Sequence, residues 1–198
     1  KLKLDCPDFK CLNNQLNFTE GTLMPETYFY NFNSPASNIL IKSQDSFIEY
    51  AQLLWEKKQP SNPLKSLDEA IILASIVEKE AGNNKEKPII AGVFLNRLNL
   101  NMRLQADPTI IYGLLPNFNG NITKLNLQDS SNRYNTYKIK GLPPTPIAMI
   151  SKSSLEAVIL GIPNNYVYFV AKGDGTHYFS TKYADHLKAV RKFQLNKS

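Results

Sequence analysis

The 198-residue sequence has few of the features that mark a specialised class of protein. It holds only two cysteines and two histidines, with no spacing typical of zinc ligands and no low-complexity run. No apolar stretch approaches the roughly 18 residues needed to cross a bilayer. Lysines and arginines are scattered rather than clustered, and no aromatic RNA-binding motif is present, which argues against a nucleic-acid partner. These absences leave an ordinary folded globular domain as the expected class.

The composition favours one hydrophobic core and an acidic partner. Hydrophobic residues make up 42% and aromatic residues 11% of the chain, enough for one good core at this length. The formal net charge of +6 is suited to an acidic partner. Anionic lipid headgroups and a cell-wall polymer whose peptides carry free carboxylates are both candidates.

The two cysteines, Cys6 and Cys11, lie five residues apart around Pro7. This spacing allows a local disulfide in an oxidising compartment, and two unpaired thiols in a leading segment are the alternative. A set of two cysteines without a nearby histidine is a poor metal site, so we expect no metal there.

The hydrophobic pattern predicts an α+β fold that is mainly helical, with a small antiparallel sheet. Apolar residues recur at helical spacing over residues 37–58, 66–81, 85–99, 153–161 and 181–195, and Asp107-Pro108 is typical of the start of a short helix. Tyr166 to Val170 is predicted to be a buried strand that returns, through a tight turn, at Tyr178-Phe179. Alternating aromatic and polar residues from Thr22 to Phe32 indicate a strand-like or extended segment. Residues 116–151 are expected to form a long loop.

One glutamate lies on the apolar face of a predicted helix. At about 100° per residue, Glu80 falls within roughly 60° of Leu73, Ile76 and Val77, which should face the core. Glu78 lies about 160° away from it. A carboxyl group on the core side loses solvation, so its pKa rises and it can hold a proton near neutral pH, as a general acid must. An ordinary Glu-Lys-Glu helix end is the alternative interpretation.

Several motifs in register give the chain a family resemblance, because each is weak alone but five in order are specific. They are Glu78-Lys79-Glu80-Ala81, Val93-Phe94-Leu95-Asn96-Arg97-Leu98, Met102-Arg103-Leu104-Gln105-Ala106-Asp107-Pro108-Thr109, Tyr134-Asn135-Thr136-Tyr137 and Gly141-Leu142-Pro143-Pro144. In this order the chain resembles the YceG-like family, the membrane-anchored endolytic murein transglycosylases of bacteria. Two departures stand out: Asn101 replaces the usual Gly before the Met, and Met149-Ile150-Ser151 replaces a usual Asn-Pro-Gly.

The resemblance implies a lysozyme-like helical catalytic core and a larger parent protein. Residues 1–20 would be the lead-in from a missing N-terminal LysM-like lobe, and residues 21–198 the catalytic domain. A single-pass membrane anchor, absent from this fragment, would hold the domain at the periplasmic face of the bacterial inner membrane. Peptidoglycan glycan strands are the implied substrate, cell-wall synthases are candidate partners, and no metal or organic cofactor is implied.

The resemblance also assigns the chemistry to Glu80. As an acid it would protonate the leaving oxygen between N-acetylmuramic acid and N-acetylglucosamine. As a carboxylate it would then take the proton of the muramoyl C6 hydroxyl, whose intramolecular attack leaves a 1,6-anhydro end without a positioned water.

The same resemblance implies the residues that bind the substrate. The order Glu80, Gln105, Tyr134-Asn135 is similar to the Glu, Met-Gln and Tyr-Asn motifs of the lysozyme-like soluble transglycosylases. Gln105, Tyr134, Asn135 and Thr136 would then line the cleft, since amides and hydroxyls bind sugar hydroxyls and acetamido groups. An ordinary turn is the alternative for Tyr134-Asn135-Thr136.

Asp107 is the best candidate for a second carboxylate at the site, where it would bind substrate or act in hydrolysis. Asp-Pro-Thr is also typical of a helix cap, and capping is the interpretation that the local sequence favours. Arg97 is expected to brace the site through a salt bridge to Glu78. His177 and His186 are assigned surface or structural roles, and Ser75 lacks the glycines of a nucleophile elbow.

Two functions other than a lytic transglycosylase stay open. A hydrolytic muramidase would use Glu80 together with Asp107 and would lose nearly all turnover without Asp107. A non-catalytic peptidoglycan-binding scaffold of cell-wall synthesis would show no turnover at all.

Overall fold

The computed structural model of the protein describes residues 18–161 and 164–195, and nearly half of these residues are in helices. The helices are α1 (Ala36–Trp55), α2 (Leu67–Glu80), α3 (Lys87–Asn99), α4 (Asp107–Leu114), α5 (Lys124–Gln128), α6 (Lys152–Leu160) and α7 (Tyr183–Val190). A π-helical turn, Arg191–Leu195, follows directly after α7.

The sheet is a two-stranded antiparallel hairpin. Strand β1 (Tyr168–Ala171) pairs with β2 (His177–Ser180), with Phe169 opposite Phe179 and Ala171 opposite His177. The α+β class, mainly helical with a small antiparallel sheet, is therefore confirmed.

Helix α2 is the central helix of the core. Ser66 caps it, and its side chain accepts a hydrogen bond from the Glu69 N–H at 3.2 Å, as the Ser-Leu-Asp-Glu start predicts. The helix packs mainly against α3 and α6, which cover it from two sides. Leu73, Ile76 and Val77 are fully buried. The helix face that carries Glu80 is thus a core face, as its periodicity predicts.

A buried ion pair joins α2 to α3 and α6. The Lys87 Nζ lies 3.1 Å from the Glu78 Oε2, and the Lys87 side chain is only 5% exposed. The same carboxylate oxygen accepts bonds from the Ser151 hydroxyl at 2.6 Å, the Ser151 N–H at 3.1 Å and the Ser154 hydroxyl at 2.5 Å. Burial would raise the pKa of Glu78, but the bonds from Ser151, Ser154 and Lys87 outweigh it and lower that pKa to about 2. A fixed negative charge therefore anchors α2 two residues before Glu80.

The alternating pattern from Thr22 to Phe32 does not correspond to a strand in the structure, because residues 24–31 have no regular secondary structure. Met24 is buried, and the Tyr28 hydroxyl donates to its carbonyl at 2.8 Å, whereas Phe29 and Phe32 are exposed. Of the alternating aromatic residues only Tyr28 packs against the core, so the alternation does not mark a strand with one buried face. The predicted long loop at 116–151 also contains a helix, α5, which Thr123 caps.

The predicted disulfide lies outside the described residues, and the finding on membrane-spanning helices covers only those residues. Cys6 and Cys11 lie outside the described residues, so their disulfide stays a prediction. Among residues 18–161 and 164–195, none of the helices combines the length and apolar character of a membrane span.

Candidate active site

Glu80 is the last residue of α2 and is half-buried in a cleft of about 460 Å³. We name this the Glu80 cleft. The helical core contributes one wall, formed by Glu80, Arg97, Gln105, Asp107 and Tyr137. The hairpin and the terminal helix contribute the other, formed by Tyr168, Phe169, Val170, Ala171, His177, Tyr183, His186, Val190 and Gln194.

The environment of Glu80 keeps its carboxyl group protonated at neutral pH. Burial is the main cause, and the negative charge of Asp107 adds to it, so that the pKa of Glu80 rises to about 8. The positive charge of Arg97 acts in the opposite direction. A half-buried acid in a polar cleft, with one anionic and one cationic neighbour, has the properties of a general acid that must later act as a base.

Arg97 holds the segment before α4 and the segment before β1 against α3. Its Nε donates to the Val167 carbonyl at 2.7 Å, and its Nη1 donates to the Leu104 carbonyl at 2.6 Å and the Arg103 carbonyl at 3.3 Å. The prediction of a salt bridge from Arg97 to Glu78 is wrong, because Glu78 pairs with Lys87 instead. Arg97 instead lines the Glu80 cleft.

Asp107 is the first residue of α4 and does not cap it. Ala106 occupies the N-cap position, which no side chain caps. The Asp107 carboxylate lines the Glu80 cleft and accepts a hydrogen bond from the Tyr137 hydroxyl at 2.7 Å. The capping interpretation is therefore wrong, because the helix begins at Asp107 itself, one residue earlier than a cap at this position would require.

Gln105 lines the Glu80 cleft on an unusual stretch of backbone. Its φ is +52°, in the left-handed region that non-glycine residues seldom adopt. The Gln105 N–H donates to the Thr136 carbonyl at 3.2 Å, and the Ala106 N–H donates to the Thr136 hydroxyl at 2.9 Å. These bonds hold the turn that presents Gln105 to the cleft.

Tyr134, Asn135 and Thr136 are not among the residues that line the Glu80 cleft, which corrects the placement that the sequence suggested. The side chains of Asn135 and Thr136 are fully buried. The Tyr134 ring packs against Tyr112 with a centroid distance of 4.8 Å. The buried polar groups of this motif bond to the backbone and so hold the segments that form the cleft. The next residue, Tyr137, provides the side chain that lines the cleft.

Asn135 has three backbone acceptors for its amide. Its Nδ2 lies 2.7 Å from the Asp129 carbonyl, 3.1 Å from the Asn126 carbonyl and 3.4 Å from the Leu127 carbonyl. The Asn135 Oδ1 accepts a bond from the Tyr137 N–H at 3.0 Å. One side chain thus folds the end of α5 onto the turn that carries Tyr137.

Asn135→Ala is expected to destabilise the domain by about 2–3 kcal/mol, because it removes the bonds of a fully buried amide to several part-buried backbone groups. Thermal unfolding is the measurement, with the exposed Asn117→Ala as the matched control, expected to change the free energy of unfolding by less than about 0.5 kcal/mol. An unchanged melting temperature together with lost turnover would show that Asn135 touches substrate instead.

The hairpin is attached to the loop that follows Glu80. The His177 N–H donates to the Glu86 Oε1 at 2.9 Å, and its Nδ1 lies 2.8 Å from the Glu86 Oε2. A Cβ on Gly82 would lie 2.9 Å from the Gly175 carbonyl oxygen, so glycine is needed for this close approach. His177 and His186 both line the cleft. No local pattern in the sequence indicated this position for either histidine. Within the described residues no group of three side chains suited to hold a metal ion occurs.

The sequence matches the model of the YceG-like family over residues 4–192. The chain belongs to the YceG-like family. It is 35% identical over 185 residues to a protein of Bacillus subtilis (strain 168) named endolytic murein transglycosylase, covering 90% of this chain and 49% of that protein. A protein of Streptococcus pneumoniae (strain ATCC BAA-255 / R6) with the same name is 30% identical over 176 residues, covering 86% of this chain and 31% of that protein.

The fold agrees with a crystal structure of the same family. A yceG-like protein from Listeria monocytogenes superposes with a TM-score of 0.72 at 35% sequence identity, covering 85% of this chain and 54% of the other. This YceG-like chain thus spans about half the length, or less, of the relatives it matches.

The two departures from the YceG-like pattern are compatible with the local structure. Asn101 has φ +56°, a conformation that glycine prefers and asparagine tolerates, so the backbone turn before Met102 is kept. Ser151 caps α6 by accepting a bond from the Ser154 N–H, and its hydroxyl also bonds to Glu78. In this YceG-like chain a serine at that position adds a hydrogen bond to the buried ion pair.

Proposed function

We propose that this domain is the catalytic part of an endolytic lytic transglycosylase. It would cleave the bond between N-acetylmuramic acid and N-acetylglucosamine within nascent peptidoglycan strands and leave 1,6-anhydro-N-acetylmuramic ends. The observation that carries the proposal is the carboxyl group of Glu80, whose pKa of about 8 keeps it protonated inside a polar cleft. The names of the relatives from Bacillus subtilis and Streptococcus pneumoniae support the same reaction.

The first step would be protonation of the glycosidic oxygen by Glu80. The bond from the muramoyl C1 to this oxygen breaks, the N-acetylglucosamine leaves with a free hydroxyl, and positive charge develops at C1. Glu80 becomes a carboxylate at this point, and the nearby charge of Arg97 favours that form.

The second step would be attack of the muramoyl C6 hydroxyl oxygen on C1. The Glu80 carboxylate takes the hydroxyl proton, so that the acid is restored and the two products together contain every atom of the substrate. Burial and the charge of Asp107 favour this return to the protonated form. The two neighbours thus bias Glu80 in opposite directions, which suits a group that gives and takes one proton in each cycle.

Asp107 and Gln105 would bind the glycan on the same wall of the cleft. The Asp107 carboxylate, oriented by the Tyr137 hydroxyl, accepts hydrogen bonds from sugar hydroxyls, and the Gln105 amide both donates and accepts. A carboxylate close to the reacting bond also stabilises positive charge at C1 electrostatically.

A hydrolytic muramidase is the second candidate, and the position of Asp107 favours it. Asp107 lines the same cleft as Glu80, does not cap α4, and is close enough for its charge to raise the pKa of Glu80. A second carboxylate at this position is what a hydrolase needs to activate water or trap C1.

The mass of the new muramoyl ends is expected to decide between the two reactions. Intramolecular attack gives ends that are one water, about 18 Da, lighter than the reducing ends that hydrolysis leaves. Mass spectrometry of a fresh digest of purified, uncross-linked glycan is the measurement, and Asp107→Asn is the informative variant. Reducing ends from the wild type, and loss of nearly all turnover in Asp107→Asn, would overturn the lytic mechanism in favour of hydrolysis. A digest with no cleavage at all would instead favour the non-catalytic scaffold.

We extend the proposal to the location of the parent protein, because its substrate is newly made glycan. The domain, residues 21–198, would act at the periplasmic face of the inner membrane, beside cell-wall synthases and held by an N-terminal anchor. Surface labelling of single cysteines introduced into the domain of the full-length protein in cells tests this, and protection of every such cysteine from an impermeant reagent would contradict it.

A further inference from the structure

One face of the C-terminal helical segment forms part of the Glu80 cleft. Tyr183, His186 and Val190 of α7 and Gln194 of the π-helical turn recur at spacings of three, four and four residues, and all four line the cleft. Helix α7 packs against both strands of the hairpin, and β1 also contacts α3. This part of the cleft wall is therefore built by the hairpin and the terminal helix, which the chemistry of Glu80 does not itself require.

The centre of this wall is a cluster of rings. Tyr168 stacks on His186 with a centroid distance of 5.2 Å and an angle of 21° between the planes. Tyr183 lies 5.7 Å from Tyr168 and 6.3 Å from His186. The guanidinium carbon of Arg97 lies 5.6 Å from the centre of the Tyr168 ring, which holds that ring from the side of the helical core. The rings thus support one another in a fixed arrangement.

Tyr183 is the most exposed ring of this cluster. It is 59% exposed, although it contacts two other rings and lines the cleft. Burial, together with the charge of Arg97, lowers the pKa of His186 and so favours the neutral form of this ring, which adds uncharged aromatic surface. This part of the cleft wall therefore presents the ring of Tyr183, backed by two further rings, together with a polar amide, Gln194.

A pyranose ring has the complementary chemistry. Its faces carry C–H groups and its rim carries hydroxyl and acetamido groups, so it stacks on a tyrosine while its rim bonds to an amide. The part of the lining that the helical core contributes, with Glu80, Gln105 and Asp107, is polar and charged. The two parts of the lining thus suit two different tasks: the helical core carries the chemistry, and the ring cluster holds a sugar ring.

We infer that Tyr183, supported by Tyr168 and His186, is a stacking platform for one N-acetylhexosamine ring of the glycan strand. The inference rests on the proposed function and deepens it, because it assigns a second binding subsite in the same cleft. Tyr183 is a positioning residue in this role: it holds the strand so that the bond to be cut lies at Glu80. The structure thus gives the terminal helix a function in substrate binding.

The experiment measures binding of peptide-free oligomers of alternating N-acetylglucosamine and N-acetylmuramic acid by calorimetry. The Glu80→Gln background is used so that the oligomers stay intact. Tyr183→Ala is expected to raise the Kd about tenfold, as loss of a stacked ring does. Tyr183→Phe is expected to restore the affinity, because it keeps the ring and loses only the hydroxyl. Tyr30→Ala is the matched control: Tyr30 is 48% exposed on another surface of the protein, and its loss should leave the Kd unchanged.

If the alanine variant fails to fold, Tyr183→Leu tests the proposal instead, because leucine fills much of the space of the tyrosine but has no aromatic ring on which a sugar can stack. This variant should bind as weakly as the alanine variant is expected to, and affinity equal to that of Tyr183→Phe would overturn the platform. In the Glu80-containing enzyme, Tyr183→Leu should raise KM about tenfold with kcat within about twofold, because uniform binding is lost. A wild type that binds the oligomers but never cleaves them contradicts only the proposed function. A wild type that cleaves, with a Tyr183→Leu variant that keeps full affinity, contradicts only the subsite.

Discussion

Glu80→Gln is expected to lower glycan cleavage at least about a thousandfold while the domain still folds and binds glycan. Glutamine keeps the shape and hydrogen bonding of the protonated acid but has no proton to transfer. The measurement is turnover on uncross-linked glycan, with folding checked by circular dichroism and binding by calorimetry. Glu80→Asp is a useful companion, since it keeps the acid but withdraws it by one methylene group. A glutamine variant that keeps more than about a tenth of the wild-type turnover would show that another group is the acid.

The same variant is expected to change how stability depends on pH. The pKa of Glu80 is about 8 in the folded domain and about 4.5 in the unfolded chain, so the folded state binds more protons between these values. Stability of the wild type therefore falls as pH rises from 4.5 to 8, and this contribution is constant above 8. Glutamine does not titrate, so the stability of Glu80→Gln does not fall in this way. Between pH 4.5 and 8 the free energy of unfolding of the variant should therefore rise relative to that of the wild type by about 3–4 kcal/mol. Chemical unfolding at pH 5 and pH 8 measures the gain, and parallel profiles would contradict the raised pKa.

Glu78→Gln is expected to destabilise the domain by about 3–5 kcal/mol, although its effect on cleavage by the folded fraction should be far smaller than that of Glu80→Gln. The substitution leaves the ammonium of Lys87 buried without its carboxylate and weakens the bonds from Ser151 and Ser154. Chemical unfolding at pH 7 is the measurement. The exposed pair of Lys152 and Glu26, 2.7 Å apart, is the matched control. Glu26→Gln should cost less than about 1 kcal/mol, because water screens that pair.

The pH dependence distinguishes Glu78 from Glu80. The pKa of Glu78 is about 2 in the folded domain, below its value of about 4.5 when unfolded. Its contribution to stability is thus fully present above pH 4.5 and is lost as pH falls from 4.5 towards 2. Glu78→Gln should remove part of the acid limb of the stability profile and leave the limb between pH 4.5 and 8 unchanged. A variant whose acid limb equals that of the wild type would contradict the anchoring role of Glu78.

The site was only partly predictable from local patterns, and the errors share one physical cause. The family resemblance places Asn135 and Thr136 in the cleft, where amides and hydroxyls could bind sugars, but the same groups also bond to backbone, and burial makes that their role here. Asp107 was expected to cap a helix because Asp-Pro-Thr usually does so, yet α4 begins at Asp107 and the carboxylate faces the cleft. The type of a residue limits which hydrogen bonds its side chain can make, and only the surroundings of that side chain decide which of them it makes.

The sequence by itself determined the α+β class, the hairpin, the helices other than α5, and the position of Glu80 on the core face of α2, because these depend on spacing within one element. Membership of the YceG-like family likewise follows from motifs in linear order. Only the tertiary structure decided that Glu78 pairs with Lys87, that Arg97 and Asp107 shift the pKa of Glu80 in opposite directions, and that the terminal helix lines the cleft. Those arrangements join residues that lie on different elements, and no local periodicity carries the distances and burial on which their energies depend.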